Sequence, residues 1–228
     1  MAEIRKQVLG EVVGALGDIV FRARNGRNFV GVRPASFIPG TDQASVTRRL
    51  KFLTTIKFSQ AVNSEPVLKA IWDKVRPPEM STFNNIARLN YQYTESENLT
   101  DLMKIVPSLG FGITTAGMNL SSGGLNIDTE AIGTNTGINT VVELNIQMVS
   151  VLFFSDPIDA SVGSYYITTM SGIPQSFTLE DPQNLTASLL SEQTAYYSKF
   201  QAHKAFSVLV TLDAQGNPVH YSGAIVTS

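Results

Sequence analysis

VVELNIQMVSVL, residues 141–152, alternates apolar and polar side chains through much of its length, the pattern of a β-strand with one buried face. Downstream, Tyr165-Tyr166-Ile167-Thr168-Thr169 and Ser176-Phe177-Thr178-Leu179 read as further strands, while 186–201 fits helix and strand equally. Phe206-Ser207-Val208-Leu209-Val210-Thr211-Leu212, the turn formers of 213–218 and the run from Val219 to Thr227 make a closing hairpin with a longer loop. Short strands separated by turn clusters predict an antiparallel β-sandwich-like domain over 105–228.

Upstream, 20 of the 33 residues from 108 to 140 are Gly, Ser, Thr or Asn, and only Asp128 and Glu130 are charged. So few large apolar groups among so many turn formers predict a long polar loop or loosely twisted hairpins.

Residues 41–104 read as helical. Thr41 or Asp42 can cap a helix in which Val46, Leu50, Leu53 and Ile56 recur at three- and four-residue spacing, with Phe52 extending the apolar side. A second helix starts near Ser64 with Pro66 in its first turn, carries Val67, Leu68, Ile71, Trp72 and Val75, and stops at Pro77-Pro78. A third begins near Ser81 and lines up Phe83, Ile86, Ala87, Asn90 and Tyr91. At that spacing Trp72, Tyr91 and Tyr93 read as core or interface anchors.

Residues 1–40 form an N-terminal β-hairpin or arm. Two β-like runs, 18–24 and 27–33, flank Asn25-Gly26, a pair that supplies the positive φ angles of a type I′ turn. Arg22, Arg24, Arg27 and Arg33 stud this ribbon and are the candidate partner interface; they also serve as charges that keep an exposed edge from aggregating. The fold class is therefore α+β and β-dominated: N-terminal hairpin, short helical segment, C-terminal sandwich.

Composition bounds the chemistry. The 228-residue chain is 43% hydrophobic and only 16% charged, enough to bury a core without staples. It has no cysteine, which excludes disulfides, thiolate nucleophiles and cysteine-held metal. The formal net charge of -2 makes nucleic acid an unfavoured partner for the whole molecule, with the N-terminal arginines as the place where it would bind. The charge is uneven: residues 1–104 hold 15 Lys/Arg against 10 Asp/Glu, and residues 105–228 hold 2 against 9. Halves of opposite sign suggest different neighbours, or head-to-tail association of copies. Residues 1–20 are too interrupted by charge and glycine for a secretory leader, and no run of about 20 apolar residues suggests membrane insertion.

No catalytic, cofactor or metal motif emerges. His203 and His220 sit in probable strands or their flanks without ligand spacing, and no nucleophile elbow or phosphate loop occurs. Asp128 with Glu130, and Asp156 with Asp159, are the pairs that could help ligate calcium. No catalytic residue, cofactor or metal is therefore assigned.

The order of features resembles an uncharacterised bacterial family known as a domain of unknown function. The matching stretches are Gly14–Val20, Val32-Arg33-Pro34, QASVTRRLKFLTTIKF (43–58), MSTFNNIARLNYQY (80–93) and the closing 206–226. The resemblance implies no activity and no site residue.

Two functions are consistent with these readings. The first is a non-enzymatic assembly subunit of a large particle, such as a phage capsid, head–tail or tail-associated protein, binding copies of itself and other structural subunits. Its location would be the virion or another extracellular particle, after cytoplasmic synthesis. The second is a surface β-sandwich that binds glycan or host receptor through Tyr165, Tyr166, Tyr196 and Tyr197. Adjacent strand tyrosines point to opposite faces, so only one of each pair could meet a common ligand.

Overall fold

The computed structural model of the chain describes residues 2–4, 12–24, 26–33, 38–159 and 161–227, with side chains from residue 12 onward. It has an α+β, β-dominated fold and divides into two compact units, residues 1–46 and 47–228.

The smaller unit is a four-stranded antiparallel sheet built from β1 (Ala2–Ile4), β2 (Gly14–Leu16), β3 (Ile19–Arg24) and β4 (Arg27–Val32), in the order β1-β4-β3-β2. Arg24 pairs with Arg27, so a two-residue connection closes the predicted hairpin; Gly26 has φ +70°, and Asn25 lies outside the described residues. Pro34 and Gly10 also lie outside them. The expected hairpin is thus the centre of a wider sheet. Among the described side chains of this unit only Asn28 is buried, its Oδ1 accepting from the Val12 N–H at 3.1 Å.

The larger unit is organised by two 13-residue antiparallel strands, β9 (Asn145–Pro157) and β13 (Phe200–Leu212), paired along their length. On its other side β9 takes β10 (Tyr165–Ser171) and β11 (Gln175–Ser176), while β13 takes β14 (Pro218–Tyr221) and β15 (Ile225–Thr227). The strand from 141 was expected to bury one face. Instead every residue from 148 to 154 is buried, because this central pair is covered on both sides.

One face carries Val149, Val151, Phe153, Phe206, Val208, Val210 and Leu212 against three helices. These are α1 (Gln43–Ser64), α2 (Pro66–Val75) and α3 (Thr82–Asn90). The opposite face, with Ile146, Met148, Leu152, Phe154 and Leu209, packs on a three-stranded sheet. That sheet is formed by β7 (Thr115–Ser121), β8 (Gly124–Thr129) and β12 (Gln183–Ser188), in the order β12-β8-β7. The sandwich is present, with a helical layer added to the outer face of its larger sheet. The polar 108–140 region contains the β7–β8 hairpin, which buries Leu125 and Ile127 into this second core. The ambiguous 186–201 stretch resolves into the end of β12, helix α4 (Ser191–Tyr197) and the start of β13.

Helix α1 corrects the stripe expected of it. Its buried residues are Thr54, Thr55, Phe58, Ser59 and Val62, whereas Phe52 and Leu53 are exposed. The hydroxyls explain the difference: Thr54 donates to Leu50 O at 3.0 Å, Thr55 to Lys51 O at 2.8 Å and Ser59 to Thr55 O at 2.7 Å. With their polar atoms satisfied inside the helix, these side chains can be buried at little cost. Trp72 on α2 is fully buried and donates Nε1–H to Ile105 O at 2.8 Å. Asn90 at the end of α3 holds residue 104 from both sides, accepting from Lys104 N at 2.6 Å and donating to Lys104 O at 3.0 Å.

Candidate functional site

The pleat brings the four predicted arginines together. In β3, Ile19, Phe21 and Ala23 share one face, and Val20, Arg22 and Arg24 share the other. The register sets Ile19 opposite Val32, Phe21 opposite Val30, Arg22 opposite Phe29 and Arg24 opposite Arg27. Arg33 follows Gly31 by two residues, so Arg22, Arg24, Arg27 and Arg33 all belong to the second face. A shallow depression of about 420 Å³ on the sheet is lined by Val20, Arg22, Phe29, Gly31 and Arg33 among others. The first face is apolar, with Leu16, Ile19 and Val32 at 73%, 42% and 80% exposure. Sequence reading found the arginines but not their common face, which depends on the β3–β4 register.

A second feature was invisible in the sequence. An open groove of about 1120 Å³ lies where β9 leaves and β13 enters the six-stranded sheet. A tight hairpin, β5 (Thr94–Glu95) and β6 (Asn98–Leu99), contributes Glu95, Ser96, Glu97 and Asn98. Asp156, Gln201, His203, Lys204, Tyr197 and the β7 residues Met118, Asn119 and Leu120 are among the others that line it. Ser96 and Asp156 have φ of +48° and +56°, so both the hairpin tip and the end of β9 turn through the left-handed region. Lys204 is committed at the rim, with Nζ 2.6 Å from Asp101 Oδ1. Glu95, Glu97 and Asp156 have no basic partner among the described residues.

His203 in this groove is held firmly. Its Nε2–H donates to Tyr197 O at 2.8 Å, its ring stacks on Tyr197 with centroids 3.7 Å apart, and Phe154 meets it edge-on at 5.2 Å. The groove therefore gathers a histidine with three carboxylates, but among the described residues none of the carboxylates hydrogen-bonds the ring.

The second histidine belongs to a separate network. Glu143, only 1% exposed, accepts from Asn139 N at 2.8 Å, from the Thr211 hydroxyl and from His220 Nδ1 at 3.0 Å. Burial works to raise the Glu143 pKa, yet the Thr211, Asn139 and His220 hydrogen bonds outweigh it and hold the carboxyl below its usual range. Chemically, this is an oriented carboxylate–imidazole pair that ties the approach to β9 to β13 and β14.

The tyrosines have partners within the fold. Tyr165 turns toward the helices, its hydroxyl 3.1 Å from Thr54 Oγ1 and its ring under Lys57 Nζ at 4.8 Å. Tyr166 turns to the other face and stacks on Tyr196 at 3.9 Å. Asp128 is hydrogen-bonded by Asn126 and Asn184, and Asp159 accepts from Ser161 N at 2.9 Å. Among the described residues no group of three His, Cys, Asp or Glu is placed to hold a metal ion, and no helix is long and apolar enough to cross a membrane. Comparison with protein families and with curated proteins finds no match for the chain, and no family is assigned.

Proposed function

We propose that this chain is a non-enzymatic assembly subunit of a large particle, of which a phage virion is the setting suggested by its sequence, and that it works through contacts with copies of itself and other subunits. One observation carries the reading: a four-stranded sheet has only Asn28 buried among its described side chains. Sheets are stable when a hydrophobic face is covered. Leu16, Ile19 and Val32 lie on such a face and remain open to solvent. A neighbouring subunit is the natural cover, and Phe52 and Leu53 on α1 add exposed apolar surface of the same kind.

The test is sedimentation velocity of the full chain over a wide concentration range, beside the Leu16→Asp/Val32→Asp variant. Concentration-dependent multimers that the double substitution weakens, with circular dichroism unchanged, support the reading. A strictly monomeric wild-type chain at high concentration overturns it. The glycan-binding alternative is less well supported by the geometry, because Tyr166 with Tyr196, and Tyr197 with His203, already occupy one another's ring faces.

A further inference from the structure

We infer that the arginine face of the N-terminal sheet of one copy docks into the acidic groove of a second copy, its guanidiniums meeting Glu95, Glu97 and Asp156. The inference rests on the assembly reading and names the two surfaces that would carry it.

The arginine face sets Arg24 opposite Arg27 across the strand pair, with Arg22 next on the same face. Arg22, Arg24 and Arg33 have no acidic partner among the described residues. Phe29, half-buried in the depression between Arg22 and Arg33, gives the face an apolar centre inside a basic rim. That is the usual anatomy of a protein interface, in which charged pairs at the rim set orientation and specificity.

The groove is complementary in sign and scale. Glu95 precedes a two-residue turn, Glu97 lies in it, and Asp156 stands at the end of β9; the one lysine among the lining residues is held by Asp101. Its volume exceeds the roughly 300–1,000 Å³ typical of small-ligand sites, and it is open, so it suits a protruding protein element better than a small molecule. Guanidinium with carboxylate is also the pairing best made in two parallel hydrogen bonds. The occupant follows from the chain's own complementary surfaces: Arg22, Arg24 and Arg33 lack an acidic partner and Glu95, Glu97 and Asp156 lack a basic one among the described residues. Because the two surfaces differ, the contact is head-to-tail and generates rings or filaments rather than an isologous dimer.

The experiment is a charge-reversal exchange, read by sedimentation velocity at low salt. Variant one is Arg22→Glu/Arg24→Glu and variant two is Glu95→Arg/Glu97→Arg; all four positions are at the surface, and circular dichroism checks the fold of each. Each variant alone should associate at least about tenfold more weakly than wild type, and an equimolar mixture should recover association, since each reversed surface then finds its complement. Wild-type association that survives both reversals refutes the docking while leaving the assembly reading standing. A wild-type chain that never associates ends both. Loss with variant one alone, or tight wild-type binding of a single-stranded oligonucleotide that variant one abolishes, assigns the arginine face to a nucleic acid and overturns the proposal.

Discussion

Replacing Glu143 by Gln removes one charge from the interior with almost no change in shape. The carboxylate accepts from Asn139 N, Thr211 Oγ1 and His220 Nδ1, and is 1% exposed. A hydrogen bond to a charged group contributes about 1.5–3 kcal/mol, against about 1 kcal/mol for a neutral one. Not all of that is lost. Thr211 has a second acceptor in His220 O at 3.3 Å, the exposed Asn139 can turn to water, and His220 is 45% exposed. The Gln substitution should therefore cost about 1–2 kcal/mol, and Glu143→Leu about 3 kcal/mol, near the lower limit for breaking a buried pair. The pH dependence has a definite sign. The folded-state pKa of Glu143 is lowered, so its contribution is fully present above the unfolded value and is lost as pH falls through the folded one. Urea titrations of wild type and Glu143→Gln should therefore differ most near neutral pH and converge well below pH about 4, where both side chains are neutral. A difference under about 0.5 kcal/mol at neutral pH, or one that persists unchanged at low pH, would refute this account of the network.

Three further outcomes follow from the larger unit. Trp72→Phe leaves the buried Ile105 carbonyl without its 2.8 Å donor and should cost about 2–4 kcal/mol, read by circular dichroism in urea because the chain's one fluorescent indole is gone. Gly110 has φ +63°, and a Cβ there would lie 2.0 Å from Tyr221 O, whereas Gly216 has φ +80° and open space around it. Gly110→Ala should thus destabilise well beyond the roughly 1–2 kcal/mol of strain expected for Gly216→Ala; equal midpoint shifts would count against the close approach. Ser150 and Ser207 share a buried hydrogen bond of 2.7 Å across β9 and β13. Either Ser→Ala alone should cost about 1–3 kcal/mol and the double variant less than the sum, which a double-mutant cycle measures.

The sequence carried the element inventory better than the layering. Pro66, Pro77-Pro78 and Ser81 punctuate the helices because each acts locally: Pro66 opens α2, and Ser81 Oγ accepts from Asn84 N at 3.2 Å to start α3. The same locality made the Gly26 hairpin readable. Burial is not local. Gln147 and Ser150 make the 141–152 stretch look one-sided, but Gln147 reaches Gly172 O at 2.8 Å and Ser150 reaches Ser207, so neither marks a solvent face. On α1 the apolar letters at 52 and 53 point outward while the threonines at 54 and 55 point inward, an inversion set by hydroxyls that bond to their own helix. The groove could not be read at all. Its carboxylates sit at positions 95, 97 and 156; the pairing of β9 with β13 brings 156 beside residues 201–204, and the β5–β6 hairpin brings 95 and 97 to the same groove.

The two units present opposite solutions to the same physical demand. Every strand pair needs its faces covered, and in residues 47–228 the β9–β13 pair achieves this within the chain, helices on one side and a second sheet on the other. Thr54, Thr55, Asn90, Glu143, Ser150 and Ser207 are all buried and all hydrogen-bonded, and the Thr129 hydroxyl is the one buried side-chain polar atom without a partner among the described residues. The N-terminal sheet buries one described side chain and displays an apolar face and an arginine face. A core already covered on both sides gains little from a partner, whereas an open sheet gains both hydrophobic cover and counter-charge. The energetic case for association therefore concentrates in residues 12–33, and substitutions there should alter assembly while substitutions in the β9–β13 core alter folding.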